Sequence, residues 1–295
     1  MYRLIQKRAL MGCLALVMSG LFSGCSSLSL VNILGSGKYQ VSLDHAYGSE
    51  PRQKLDIYIP DRQVALASAK PADVVLFFYG GSWRTGDKAD HRFVAKGLAQ
   101  KGLIIVIADY RLYPEVDWRD FLKDGASAYR WVAAHIAEYG GEPRRIFVMG
   151  HSAGAHIAAM VALDQQLRID ADNQIAPCGL IGLAGPYDFL PFSETGVAQV
   201  FSSASDLQLT QPIHYADGRD PSALLLTGDA DKRVDPGNST RLANALTRAG
   251  GKAEVIIYPN VGHPGILLSL SPALSSIAPT LRDIGRFVTQ THCAD

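Results

Sequence analysis

The chain has 295 residues, of which 47% are hydrophobic and 19% charged, and 28 basic residues balance 28 acidic ones. At roughly 100–200 residues per domain this length allows one large domain or two small ones, and the composition excludes intrinsic disorder, collagen and coiled coil for the chain as a whole. Zero net charge, with no Lys/Arg run interleaved with aromatics, excludes a nucleic-acid partner.

In chain order, the first signal is an address. Arg3, Lys7 and Arg8 precede an apolar run from Ala9 to Phe22 that ends in small residues, the layout of a secretory signal. The run is shorter than the roughly 18 apolar residues of a stable transmembrane anchor. Phe22-Ser23-Gly24-Cys25 resembles the bacterial lipobox, which implies a signal peptide over 1–24 and acylation of Cys25 as the new N-terminus. More than one acyl chain gives stable anchoring, so the expected location is the bacterial cell envelope, on a membrane and facing the periplasm. Ser26 lacks the inner-membrane retention Asp, which favours the outer membrane. The competing expectation is a soluble periplasmic or secreted protein. Residues 25–39 are Ser/Gly-rich and read as a flexible tether, leaving one domain over 40–292.

Within that domain Leu55, Ile57 and Ile59 alternate with polar residues as a half-buried strand. Val74–Tyr79, Leu103–Ala108, Ile146–Met149, Leu180–Ala184, Leu224–Thr227 and Val255–Tyr258 are short runs apolar on both faces, as in a parallel sheet covered on both sides. Helical patterns fall between them, over 88–101, 117–139, 153–166, 236–249 and 273–290. The alternation predicts a doubly wound α/β sheet with right-handed crossovers. The Ser/Pro/Asp-rich stretch 187–222 breaks the rhythm and reads as a small excursion, or cap, over one end of the sheet. An exported protein could pair Cys178 with Cys293, but Cys178 reads as the start of a buried strand and Cys293 lies at the chain's end, so the expectation is no disulfide. No Cys/His cluster has metal-ligand spacing, and neither metal nor cofactor is expected.

Gly150-His151-Ser152-Ala153-Gly154 follows the strand ending at Met149 and opens the helical run from Ala153, the strand-turn-helix setting of a nucleophile elbow. A serine hydroxyl needs a neighbouring base to become a nucleophile, and the base needs an orienting acid. His263 follows the last strand. The acid is Asp229 or Asp231, with Asp235 a distant third, all after the strand ending at Thr227, where ligands sit in such sheets. The other histidines fit worse: His214 precedes these acids in the preceding excursion, His292 is near the end, His135 lies mid-helix, and His151 and His156 flank the elbow. Gly80 and Gly81 after the strand ending at Tyr79, with Ala153, would supply backbone N–H groups for an oxyanion. Trp83, Tyr187 and Phe189 are candidate pocket walls.

Tyr79-Gly80-Gly81-Ser82-Trp83, Asp109-Tyr110-Arg111-Leu112-Tyr113-Pro114 and Gly150-His151-Ser152-Ala153-Gly154-Ala155-His156 resemble signatures of the α/β-hydrolase superfamily. The resemblance covers essentially residues 40–290 and is to the branch holding hormone-sensitive-lipase-like carboxylesterases, kynurenine formamidases and prenylcysteine methylesterases. It implies an α/β-hydrolase fold of about eight strands, and a Ser152, Asp231, His263 triad, because members carry the acid at the fourth position of a segment like Gly228–Val234. It implies a structural role for Asp109–Pro114. Tyr79 stands where most members have His, which bears on the hydrogen bonding of the glycine loop. The expected activity is cleavage of carboxylic esters of small to medium acyl groups through an acyl-enzyme. The alternatives are an aryl formamidase or amidase on the same triad, or a non-catalytic surface lipoprotein binding a ligand or partner.

Overall fold

The computed structural model describes residues 28, 31–32, 39–61, 70–168 and 176–293. The signal peptide, Cys25 and most of the expected tether lie outside the described residues.

Eight strands form one sheet: β1 (Tyr39–Ala46), β2 (Lys54–Pro60), β3 (Ala72–Phe78), β4 (Ile104–Ala108), β5 (Gly141–His151), β6 (Gly179–Leu183), β7 (Ser222–Gly228) and β8 (Ala253–Tyr258), in the order β1-β2-β4-β3-β5-β6-β7-β8. β1 and β2 run antiparallel to their neighbours and the rest are parallel, so the expected mostly parallel sheet of about eight strands is met. The central strands are apolar on both faces because helices cover both: β4 and β6 are buried at every position. The helices that matter for the site are α1 (Arg92–Ala99), α2 (Trp118–His135), α3 (Ala153–Leu163), α4 (Gln165–Arg168), α5 (Thr195–Val200), α6 (Gly237–Arg248), α7 (His263–Leu268) and α8 (Thr280–Gln290).

The differences from the sequence pattern have local causes. β1 escaped the periodicity reading because it is an edge strand with Val41 and Leu43 exposed, so no apolar face marks it. The helical pattern over 273–290 splits into a 3-10 turn at Pro272–Leu274 and α8; Pro279 cannot continue a helix and stands immediately before α8. The expectation that Cys178 and Cys293 stay apart is corrected: they are disulfide-bonded. Arg145 brings the tail back to the sheet, its Nη2 donating to the Val288 carbonyl (2.9 Å) and its Nη1 to the Thr291 carbonyl (3.2 Å) and the Cys293 Sγ (3.5 Å).

At positions 28, 31 and 32, inside the stretch read as a tether, the chain lies against the domain. Leu28 and Val31 pack on its core. Asn32 accepts from Phe93 N–H at 2.9 Å, donates to the Ala89 carbonyl at 2.9 Å, and takes Lys96 Nζ on its own carbonyl at 2.7 Å. The N-cap residue of α1, His91, makes no side-chain cap of its own, so Asn32 satisfies one of the orphan donors of that helix.

Candidate active site

Ser152 sits at the hinge between β5 and α3 with φ 55 and ψ −125, a backbone region that a non-glycine residue occupies only under constraint. Its flanking glycines make the turn possible. A Cβ on Gly150 would meet the Gly154 carbonyl oxygen at 2.1 Å, and one on Gly154 would meet the Phe78 carbonyl oxygen at 2.1 Å. The turn therefore presses against the end of β3, and Ser152 N–H donates to the Leu183 carbonyl of β6 at 2.9 Å.

Of the candidate acids, Asp231 is the one that meets His263: its Oδ2 accepts from His263 Nδ1 at 2.7 Å. Its Oδ1 accepts the N–H groups of Arg233 (2.8 Å) and Val234 (3.0 Å). Burial pushes the Asp231 carboxyl up, but the His263 hydrogen bond and these backbone donors together hold it below the usual carboxylate range. Asp229 instead accepts Asn260 N–H at 2.6 Å, and Asp235 accepts Gly237 N–H and Arg241 Nη1, each at 3.0 Å. Asp229 thus ties the loop after β8 to the loop after β7. Gly228 lets the two lie together, since a Cβ there would come within 1.9 Å of the Val261 carbonyl oxygen. His263 opens α7 behind Gly262, a helix start the sequence periodicity did not show.

Gly80 lies against Ser152, where a Cβ would stand 3.0 Å from the serine Cβ. Gly81 takes φ 137, and its carbonyl accepts the N–H groups of Arg84 (2.9 Å) and Thr85 (3.1 Å). Neither Gly80 N–H nor Gly81 N–H donates to a backbone acceptor among the described residues. Tyr79 anchors the start of this loop: its hydroxyl donates to Asp109 Oδ1 (2.6 Å) and accepts from Arg52 Nη2 (2.7 Å), and its ring stacks between His91 and Tyr110. The Asp109–Pro114 segment holds the loop as well, through Tyr110 Oη to the Tyr79 carbonyl (2.9 Å) and Tyr113 N–H to the Trp83 carbonyl (2.9 Å).

A cavity of about 240 Å³ opens over Ser152 and Ala153. Trp83 and Phe189 line it, with Leu190, Phe192 and Val197 from the segment after β6, and Arg233 at the rim. Tyr187 does not line it. That expectation is corrected because the Tyr187 side chain is fully buried beneath β6, filling the space left by Gly182 and Gly185. Sequence reasoning missed Phe192, Phe201 and His156, which join Trp83 and Phe189 in one aromatic cluster with ring centroids 4.9–6.1 Å apart. His156 was visible beside the elbow but its environment was not: its Nε2–H donates to the Thr210 carbonyl at 2.8 Å, and burial pushes its pKa down to about 4. Among the described residues no group of three or more His, Cys, Asp or Glu could hold a metal ion.

The BD-FAE family model matches residues 55–246. A probable isoprenylcysteine alpha-carbonyl methylesterase of Arabidopsis thaliana is 32% identical over 261 residues, covering 81% of this chain and 54% of its own. The kynurenine formamidase of Danio rerio is 31% identical over 170 residues, 58% of this chain and 54% of that protein. The chain thus spans little more than half the length of these curated relatives. A solved structure described as a truncated form of a carbohydrate esterase from gut microbiota superposes with a TM-score of 0.74 at 23% identity, covering 87% of this chain and 98% of that one. The architecture is shared with an esterase.

Proposed function

The chain belongs to the BD-FAE family, and from that premise we propose that it hydrolyses carboxylic esters of small to medium acyl groups, with Ser152 as nucleophile, His263 as base and Asp231 as orienting acid. The observation that carries this reading is the Asp231 Oδ2 to His263 Nδ1 contact of 2.7 Å, on an acid clamped by two backbone N–H groups; Ser152 stands on a strained elbow, and the ring of its chain neighbour His151 lies 4.8 Å from that of His263. His263 takes the Ser152 proton as the hydroxyl attacks the carbonyl carbon, and returns it to the leaving alcohol. Asp231 keeps Nδ1 protonated, so that Nε2 is the basic nitrogen, and stabilises the imidazolium. Backbone N–H groups of Gly80, Gly81 and Ala153 receive the oxyanion. Water then attacks the acyl-enzyme with His263 again as base, the bond from the acyl carbon to Ser152 Oγ breaks, and His263 returns the proton to Ser152 as the acid leaves. The cavity of about 240 Å³ supports the limit on acyl size.

Turnover of p-nitrophenyl esters from acetate to palmitate by the purified chain tests the reading. Activity peaks at short chains, and Ser152→Ala lowers kcat by about 10³–10⁶-fold; an alanine variant with wild-type turnover refutes it. The second reading, an aryl formamidase on the same residues, is favoured by the formamidase relative, and an N-formyl aryl amide in the same assay separates the two. Silence on every substrate supports the third reading, a binding lipoprotein.

The same proposal includes the envelope address: export, acylation at Cys25 and a periplasm-facing position. Leu28 packs on the domain, and three residues span at most about 11 Å. An acylated Cys25 would therefore keep the face carrying α1 close to the bilayer. Intact mass of the exported protein tests this, since acylation adds the acyl mass and Cys25→Ala removes it.

A further inference from the structure

The residue before the nucleophile has a side chain that no step above uses. We propose that His151 is a positioning residue for His263, joining the base to the nucleophile elbow through its Nε2–H and the face of its ring; the inference rests on the triad assigned above. His151 is the last residue of β5, so its backbone is continuous with Ser152. Its Nε2 lies 3.2 Å from the His263 carbonyl oxygen. A carbonyl can only accept, so Nε2 carries the proton and His151 is the donor. The two imidazole rings stand 4.8 Å apart at 44°.

The other side of the ring faces the oxyanion loop, where a Cβ on Gly80 would fall 3.1 Å from His151 Nδ1. One side chain thus touches the three segments that chemistry must register: the loop after β3, the elbow, and the loop after β8. Burial, and secondarily the proximity of His263, push the His151 pKa down to about 3. At working pH the group is neutral. It donates a hydrogen bond without taking the proton that His263 moves, and it adds no positive charge beside the imidazolium that His263 becomes.

A base displaced by a fraction of an ångström still allows substrate to bind but lowers the rate of proton transfer. The expected signature is therefore a fall in kcat with KM preserved. In the full chain, with p-nitrophenyl acetate as probe, His151→Leu removes the donor at similar volume and is expected to lower kcat about 10-fold or more with KM within about twofold. His151→Gln, whose amide reaches the position of Nε2, is expected to restore most of that loss, and His151→Asn, whose amide is too short, is not. Should leucine prevent folding, the Gln and Asn variants carry the comparison between them. The inference is overturned if His151→Leu keeps wild-type kcat, or if Gln and Asn are equally impaired, which is what a purely structural role gives. Ser152→Ala in parallel separates the two levels: a serine variant that keeps turnover overturns the triad, whereas a dead serine variant beside an unimpaired leucine variant overturns only the role of His151.

Discussion

Asp231, a buried carboxylate, and Asp220, a half-buried one, are pushed in opposite directions. For Asp231, burial raises the pKa but is outweighed by the His263 hydrogen bond and the backbone donors, so the folded value lies below the ordinary one. Its contribution to stability is present above the unfolded pKa and is lost as pH falls through the folded value. For Asp220, burial comes first and the nearby Asp217 carboxylate adds repulsion, and together they outweigh the Asp217 N–H donor and raise the pKa to about 6. The folded state then binds a proton more tightly than the unfolded state, so the ionised side chain opposes folding above about pH 6 and the opposition fades toward pH 4. Asp220→Asn keeps an acceptor for Asp217 N–H and is expected to raise Tm at pH 7–8 with no gain near pH 4, as thermal melts at the two pH values would show; an equal shift at both would refute the assignment. The turn around Ser152 was legible at this scale because its serine and its flanking glycines are adjacent in the chain. From spacing alone the partner of His263 was a choice among Asp229, Asp231 and Asp235, which the family resemblance narrowed to Asp231, and the path of the loop after β7 turns that residue toward the imidazole. Tyr187 was misread as pocket wall because nothing in its neighbours along the chain says which side of β6 its ring takes.

At the scale of elements, α1 depends on a residue far from it in the chain. Its own N-cap, His91, leaves the first-turn donors without a side-chain acceptor, and Asn32 fills that role for Phe93 N–H. Asn32→Ala is expected to cost about 0.5–2 kcal/mol, read as a fall in Tm of about 2–4 °C per kcal/mol for a domain of this size. An unchanged melt would show that the contact contributes nothing in solution. The apolar strands of the sheet interior were legible because burial on both faces leaves no polar positions in them. β1 and α7 were not. β1 takes its place from pairing with β2, and α7 is six residues whose first is His263, too short for a periodic pattern to emerge.

Across the whole molecule, the Cys178–Cys293 bond ties the head of β6 to the chain's end over a separation of 115 residues. Cross-linking a loop of that length restricts the unfolded chain, and Cys293→Ser is expected to cost about 2–5 kcal/mol, measured by denaturant unfolding of the oxidised protein and the variant; equal midpoints would refute it. The cavity over Ser152 is also a property of the whole, because its walls come from the loop after β3, the segment after β6 and the loop after β7. By itself the sequence determined the mostly parallel sheet and the elbow with its glycines, since each rests on residues adjacent in the chain or on a short run apolar on both faces. Only the tertiary structure decided that Phe192 and not Tyr187 lines the cavity, that His151 touches His263, and that the two cysteines pair. These depend on distances between segments brought together by packing, and no local pattern of residue types encodes a through-space distance.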